Sequence, residues 1–488
     1  MKIKLAGFNV DIENINKLHK IINKDAITTE DLNDIRKLNW TPETISASYA
    51  RISRDPRPIN ELREEAGLEI EKARKSNKAI IFDMGHSSIA EHAVFNIDII
   101  DISRLLSEEL EKSRLVSFTE KSQRYIKIGK DALIPEEFKS DNNFLKKYTD
   151  LTEELFNTYD FLHEKILPYF LDKNPQIIKG SQEYRDLINL AKEDARYILP
   201  LSTLTQLGMT VNARNLERII RKSLAADLFE SKIMGNELYK TVEGHAPSLV
   251  KYTTPTDYET KTYDEIKKAI GQVTFSPVNE EVKLNSMDNN FENNILASMI
   301  LKTSDIDTES AAKIIETWSD DKKEEVFKNS YKYLNSYDPV LREYEMPCVS
   351  FNILISATAF AQMKRHRMAT IIDGEYSPKL GVKIPQSIIE SGQDEIFLEK
   401  IHKIEKLFEE AKNKWQKASN YILSNAHRKN IVLKCNFREL IHIARLRCDK
   451  HSQWDIRSIA DLMINKIKSN LKFTYNILCG KDKFERYN

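Results

Sequence analysis

The sequence predicts a helix-rich α+β protein built from two related halves. Long charged stretches carry apolar residues at three- and four-residue spacing, two short stretches alternate apolar and polar residues, and the same order of signals occurs twice. Only 13 glycines and 14 prolines punctuate 488 residues, so most of the chain is free to be helical.

In chain order, Val94-Phe95-Asn96-Ile97-Asp98-Ile99 has the two-residue period of a half-buried strand. Ser103 then stands where a helix N-cap belongs, and that helix runs toward the basic cluster Lys112-Ser113-Arg114. Residues 146–171 read as a long amphipathic helix, and Asn212-Ala213-Arg214-Asn215-Leu216 opens another apolar-periodic stretch. The polar segment from about Tyr252 to Asn294, with Pro255 and Pro277 as breakers, reads as a join. Beyond it the series repeats: the strand Val349–Ile353, the cap Ser356, the cluster Arg365-His366-Arg367, a helix across 394–424, and Asn436-Phe437-Arg438-Glu439-Leu440. Two related domains follow, residues 1–260 and 261–488.

The 74 lysines and arginines balance 74 aspartates and glutamates, which gives no basic footprint for nucleic acid or for an anionic membrane surface. No window approaches the length of an apolar membrane span, and no signal-peptide core follows Met1. The expectation is a soluble cytoplasmic protein. Its four cysteines, Cys348, Cys435, Cys448 and Cys479, are too few to staple so long a chain and read as reduced thiols.

Four clusters carry chemistry. Gln362-Met363-Lys364-Arg365-His366-Arg367 places an amide, two guanidiniums and an imidazole together, suited to an anion or an electron-rich ring. A solvated helix C-terminus has the same composition. In Gly85-His86-Ser87-Ser88-Ile89-Ala90-Glu91-His92 the histidines are six apart and no third ligand is evident, so no metal is expected. Ser117 to Tyr125 alternates hydroxyls with Arg124, as a phosphate-gripping loop or an ordinary polar turn would. Leu446 to Ile456 sets Arg447, His451 and Asp455 at four-residue steps, which a salt-bridged helix face would also do, with Trp454 in the core.

Together these clusters resemble the flavin-dependent thymidylate synthases, whose signature is Arg-His-Arg, seven residues, then a serine leading into x-Arg-Tyr. In the first half, Gly85-His86 and Glu91-His92-Ala93-Val94-Phe95 are similar to the family's G-H-x4-E-H-x-x-F segment. Lys112-Ser113-Arg114, seven residues, then Ser122-Gln123-Arg124-Tyr125 keep the signature spacing. Ala195-Arg196-Tyr197-Ile198-Leu199-Pro200-Leu201 and Thr210-Val211-Asn212-Ala213-Arg214 match two further segments, while Ser223 stands where the family has a binding arginine. The second half keeps Gln362, the intact basic triplet, Asn436-x-Arg438, and Leu446-Arg447-x-Asp449-x-His451-x-Gln453-Trp454-Asp455-Ile456. It has Glu375 at the signature serine, Ser377 at the following arginine, and Asn420 where the first half has Arg196.

The resemblance implies reductive methylation of dUMP to dTMP, using FAD, methylenetetrahydrofolate and NADPH, in a homotetramer with active sites between subunits. A tandem chain would be a pseudo-dimer, and two chains would form a homodimer equivalent to a pseudo-tetramer. By resemblance, Glu120, Ser122, Gln123, Arg124 and Arg196 meet the nucleotide together with Gln362 and Arg447, the last two being the catalytic candidates. FAD would be held by Arg365, His366, Arg367, His86, Ser88, Glu91, Asn436, Arg438, Asn212 and Arg214. The complementary losses imply a composite pocket drawing on both repeats. Two other readings fit the same residues: a flavoprotein acting on another pyrimidine nucleotide, and a non-catalytic nucleotide-binding homologue.

Overall fold

The computed structural model describes residues 1–124, 126, 128–276, 278 and 280–484. Tyr125 of the signature and Pro277 of the join lie outside the described residues. The fold is helix-rich α+β with two four-stranded antiparallel sheets.

The first sheet orders its strands β1-β2-β4-β3: β1 (Lys2–Phe8), β2 (Val94–Ser103), β3 (Val116–Glu120) and β4 (Leu204–Asn212). The second follows the same plan as β5-β6-β8-β7: β5 (Val282–Met287), β6 (Cys348–Ser356), β7 (Thr370–Asp373) and β8 (Arg428–Asn436). Register repeats as well, with Val94 opposite Asn212 and Cys348 opposite Asn436. Each outer pair has an irregularity near the same place, at Leu5/Gly7 and at Leu284/Ser286. The two sheets differ at Asp101, an extra residue in β2 with φ of 58°, where β2 shifts register against β4.

One face of each sheet is apolar. Phe95, Ile97, Ile99, Leu207, Met209 and Val211 pack under the helices Ala213–Ala225 and Phe229–Glu243. Phe351, Ile353, Ile431 and Leu433 pack under Phe437–Arg447 and Trp454–Lys468. Ser103, Ser356, Asn212 and Asn436 are all helix N-caps whose side-chain oxygens accept a backbone N–H, as their positions after strands predict.

The chain divides into two compact units. Unit 1 comprises 1–156, 200–273 and 406–422; unit 2 comprises 157–199, 274–405 and 423–488. These units do not coincide with a single cut at residues 260 and 261, because each takes a segment from the other's sequence half. The helix Asn142–Asp172 gives its first part to unit 1 and its second part to unit 2.

Several expectations need correction. The polar join contains secondary structure that its composition did not announce, the capped helix Asp257–Ile270 and strand β5. Ser117 to Glu120 lie in β3, so the expected loop begins only afterward. The second long helix ends at Lys412, and a 3-10 turn, Ala418–Tyr421, follows before Ser424. Arg447 and Asp455 do not share a helix face, because Phe437–Arg447 ends at Arg447 and a new helix, capped by Gln453, starts at Trp454.

Candidate functional site

In unit 2, the helix Ala357–Met363 delivers Gln362 and the turn after it delivers the basic triplet, while Phe437–Arg447 ends on Arg447. The structure brings three of the expected residues into direct contact. Arg447 Nε donates to His366 Nε2 at 2.9 Å, and its two terminal nitrogens donate to Gln362 Oε1 at 3.3 Å and to the Gln362 carbonyl at 3.2 Å. Burial, with the charge of Arg365 nearby, pushes the Arg447 guanidinium down to about 10, which leaves it cationic at neutral pH. His366 is 3% exposed, and burial together with the Arg447 charge holds its imidazole well below the ordinary range. Its Nδ1 faces Glu439 Oε1 at 3.2 Å. Arg365 and Arg367 are exposed.

Beside this cluster lies a cavity of about 260 Å³ whose walls include Asn436, Arg438, Glu439, His442, Met368 and Val340. Arg438 is paired with Glu345 at 2.5 Å, and Asn436 uses its side-chain oxygen to cap Glu439 N at 2.9 Å. Arg196 also belongs to unit 2. It is buried, its Nε donates to the Glu193 carbonyl, and its own carbonyl accepts from Asn425 Nδ2. Next to it, Tyr197 donates to Asp455 Oδ2 at 3.0 Å, and Ser356 Oγ donates to the same oxygen.

Unit 1 holds the other nucleotide candidates. Glu120, at the end of β3, accepts from Ser107 Oγ at 3.0 Å and Thr205 Oγ1 at 3.2 Å through one oxygen. Ser122 Oγ accepts from the Arg124 amide at 3.2 Å, so Ser122, Gln123 and Arg124 form a turn directly after the strand. Before β2, His86 and Ser88 are exposed. Glu91 pairs with Arg214, and Asn212 is the cap of the helix that carries Arg214. Ser103 Oγ donates to Glu230 Oε2 at 2.6 Å, and Tyr421 donates to the same oxygen at 2.9 Å.

The register of the two sheets gives an internal comparison. Asp373 ends β7 as Glu120 ends β3, and Lys429 and Phe360 take the places of Thr205 and Ser107. Lys429 is buried, pairs with Asp373 at 2.7 Å, and its ammonium lies over the rings of Phe360 and Tyr376. At the register position that Glu120 holds in the first sheet, the second sheet thus has a carboxylate paired with a buried lysine. Sequence reading missed Lys429, Glu439 and His442. Glu439 sits three residues after the cap Asn436, where an acid passes for part of an ordinary helix start.

The fold and site define a helix-rich α+β protein with two sheets of the same strand order, in which the half-buried Arg447 guanidinium stands near a cavity of mixed polar and apolar lining. The family described as "Thymidylate synthase complementing protein" matches residues 37–248 and again 284–471, and the chain belongs to that family. The UPF0159 protein Ta1429 of Thermoplasma acidophilum is 24% identical over 470 residues, covering 87% of this chain and 92% of that protein. A flavin-dependent thymidylate synthase of Clostridium tetani is 28% identical over 227 residues, covering 45% of this chain and 86% of that one. Among solved structures, the flavin-dependent thymidylate synthase from Helicobacter pylori, complexed with FAD and dUMP, aligns at 15% identity with a TM-score of 0.33, covering 52% of this chain and all of that one.

Proposed function

We propose that this chain is a thymidylate synthase-like flavoenzyme that methylates dUMP reductively to dTMP, with methylenetetrahydrofolate as one-carbon donor and NADPH as reductant. The observation that carries the reading is Arg447, a mostly buried guanidinium whose contacts with His366 and Gln362 occupy three of its five N–H groups. A uracil ring that becomes carbanion-like at C5 accumulates negative charge on its carbonyl oxygens. A pre-positioned guanidinium stabilises that charge without reorganising during the reaction. The twofold family match and the repeated sheet order support a tandem duplication.

The residues present fit a flavin. The cavity beside His366 combines amide and guanidinium donors from Asn436 and Arg438 with the apolar walls of Met368 and Val340, and its volume of about 260 Å³ suits one moiety of such a cofactor. Asn436, Arg438, Arg365, His366 and Arg367 would hold it from the second repeat, and His86, Ser88, Glu91, Asn212 and Arg214 are the first repeat's candidates. When bound, the flavin supplies the reducing equivalents. Within unit 2, Arg196 of the first repeat accompanies Gln362 and Arg447 of the second, which supports a nucleotide site assembled from both repeats. Glu120, Ser122, Gln123 and Arg124 are the first repeat's further candidates for phosphate and sugar. The Lys429–Asp373 pair and the acid at Glu375 support loss of nucleotide binding in the second copy, hence one dUMP per chain. We further infer that two chains assemble as a homodimer.

The test is the visible spectrum of the purified protein before and after dUMP, followed by calorimetric stoichiometry. A flavin band that shifts with one equivalent of dUMP per chain agrees with the proposal. A protein that stays colourless after incubation with FAD removes the synthase reading, and two nucleotides per chain would remove the asymmetry.

A further inference from the structure

We propose that Glu439 is a positioning residue: through His366 it fixes the orientation of Arg447. The inference deepens the synthase reading and rests on it for the identity of the ligand, though the hydrogen-bond relay itself does not.

The argument starts from proton inventory. A guanidinium has five donors and no acceptor, so an Arg447 Nε–H aimed at His366 Nε2 at 2.9 Å requires Nε2 to be unprotonated. A neutral imidazole then carries its proton on Nδ1, and Nδ1 faces Glu439 Oε1 at 3.2 Å. The chain of donors runs in one direction, from Arg447 to His366 and from His366 to Glu439. Both acceptors are well enclosed, with His366 at 3% and Glu439 at 7% exposure, so water does not compete freely for either bond. His442 stands edge-on to His366 with ring centres 5.8 Å apart and restricts its rotation. Gln362 holds the terminal nitrogens, which leaves two of the five Arg447 N–H groups for a ligand.

The first repeat supplies an internal control. The equivalent caps Ser103 and Ser356 set Ser113 where the second repeat has His366; the equivalent caps Asn212 and Asn436 set Asn215 for Glu439 and Ser223 for Arg447. All three members of the relay are replaced together. Asn215 there turns its side chain back to Asn212 instead. A carboxylate retained only for helix capping would have no reason to accompany the histidine and the arginine.

The experiment uses the full-length protein labelled with 15N-histidine, with the His366 signals identified by their loss in His366→Gln. In the wild type, His366 is expected as the Nδ1–H tautomer with Nε2 unprotonated. In Glu439→Leu, an Nε2–H population should appear, and the dissociation constant for dUMP should rise about tenfold, as expected for losing one hydrogen bond in a charged network. Glu439→Gln keeps an acceptor oxygen and should restore both readouts, whereas Glu439→Met, of similar length but with no acceptor oxygen, should not, although a purely steric role would let it. An Nε2–H tautomer in the wild type, or a His366 signal unchanged in Glu439→Leu, overturns the relay. If dUMP does not bind the wild type, the synthase reading fails, and the tautomer comparison still decides the role of Glu439.

Discussion

Replacing Asp194 by asparagine should stabilise unit 2 at alkaline pH and do much less so in acid. Asp194 is 5% exposed at the end of the helix Gln182–Ala195, where Ser387 Oγ donates to one carboxyl oxygen and Trp454 Nε1 to the other at 2.7 Å. Burial pushes its carboxyl up from 3.8 to about 7, and the neighbouring Glu193 charge adds to this against the opposing bonds and Arg196. A carboxyl raised in the folded state is harmless below its unfolded value and costs stability progressively as pH rises through the folded value. With the carboxyl raised from 3.8 to about 7, that cost is about 2 kcal/mol at pH 5 and about 4 kcal/mol at pH 8, at about 1.4 kcal/mol per pH unit. Asparagine removes the ionisation, can accept from the Trp454 indole and can donate to Ser387, so the packing should survive. Urea unfolding, combined with hydrogen exchange of the amides in Gln182–Ala195, compares the two proteins at pH 5 and pH 8. A gain that is equal at both pH values, or an equal loss, would refute the assignment of a strained carboxyl.

Arg447→Ala should reduce turnover of dUMP by about 100-fold or more, as loss of a pre-positioned donor to developing charge does, with flavin absorption largely retained; steady-state kinetics and the visible spectrum check this together. Tyr197→Phe deletes a hydroxyl that donates to Asp455 and accepts from Gln453 Nε2, and should lower the stability of unit 2 by about 1 to 3 kcal/mol in urea unfolding. His427, fully buried and accepting from Ser424 through Nδ1, is pushed down to about 3 by burial. The unfolded chain takes up a proton below about pH 6.5 while the folded one does not. The contribution of His427 should therefore fall between pH 6.5 and pH 3, opposite in sign to that of Asp194, and the difference between wild type and His427→Gln in acid-unfolding curves isolates it.

The inner strands and their caps were legible because alternation and a following serine or asparagine are local signals. Val94 to Ile99 and Val349 to Ile353 lie inside β2 and β6, and each strand is followed by the expected capped helix. The outer strands were not legible. Lys2–Phe8 and Val282–Met287 are irregular where Ala6 and Asn285 interrupt their pairing, so their alternation breaks after a few residues. Arg447, Gln362 and His366 were singled out through a motif, and they are in direct hydrogen-bond contact. Glu439 and Lys429 belong to no recognised pattern, since their partners are distant in sequence and only pairing across a sheet or packing of two helices brings them near. The false helix face through Arg447 and Asp455 came from trusting four-residue steps across Gln453, which itself starts a new helix.

The two buried serine–carboxylate–tyrosine nodes bear on how the gene can be cut. Glu230 in the first half of the sequence relies on Tyr421 in the second, and Asp455 in the second relies on Tyr197 in the first. A clone ending at residue 260 would leave Glu230 facing a gap, and the complementary clone would do the same to Asp455. Each piece would then enclose an acid lacking one of its donors, which favours aggregation over autonomous folding. Co-expression of both pieces is the arrangement in which soluble product is expected, each fragment acting as the other's folding template. The same reciprocity discourages either half from being lost or recombined separately over time, even though only one of them retains the intact basic triplet.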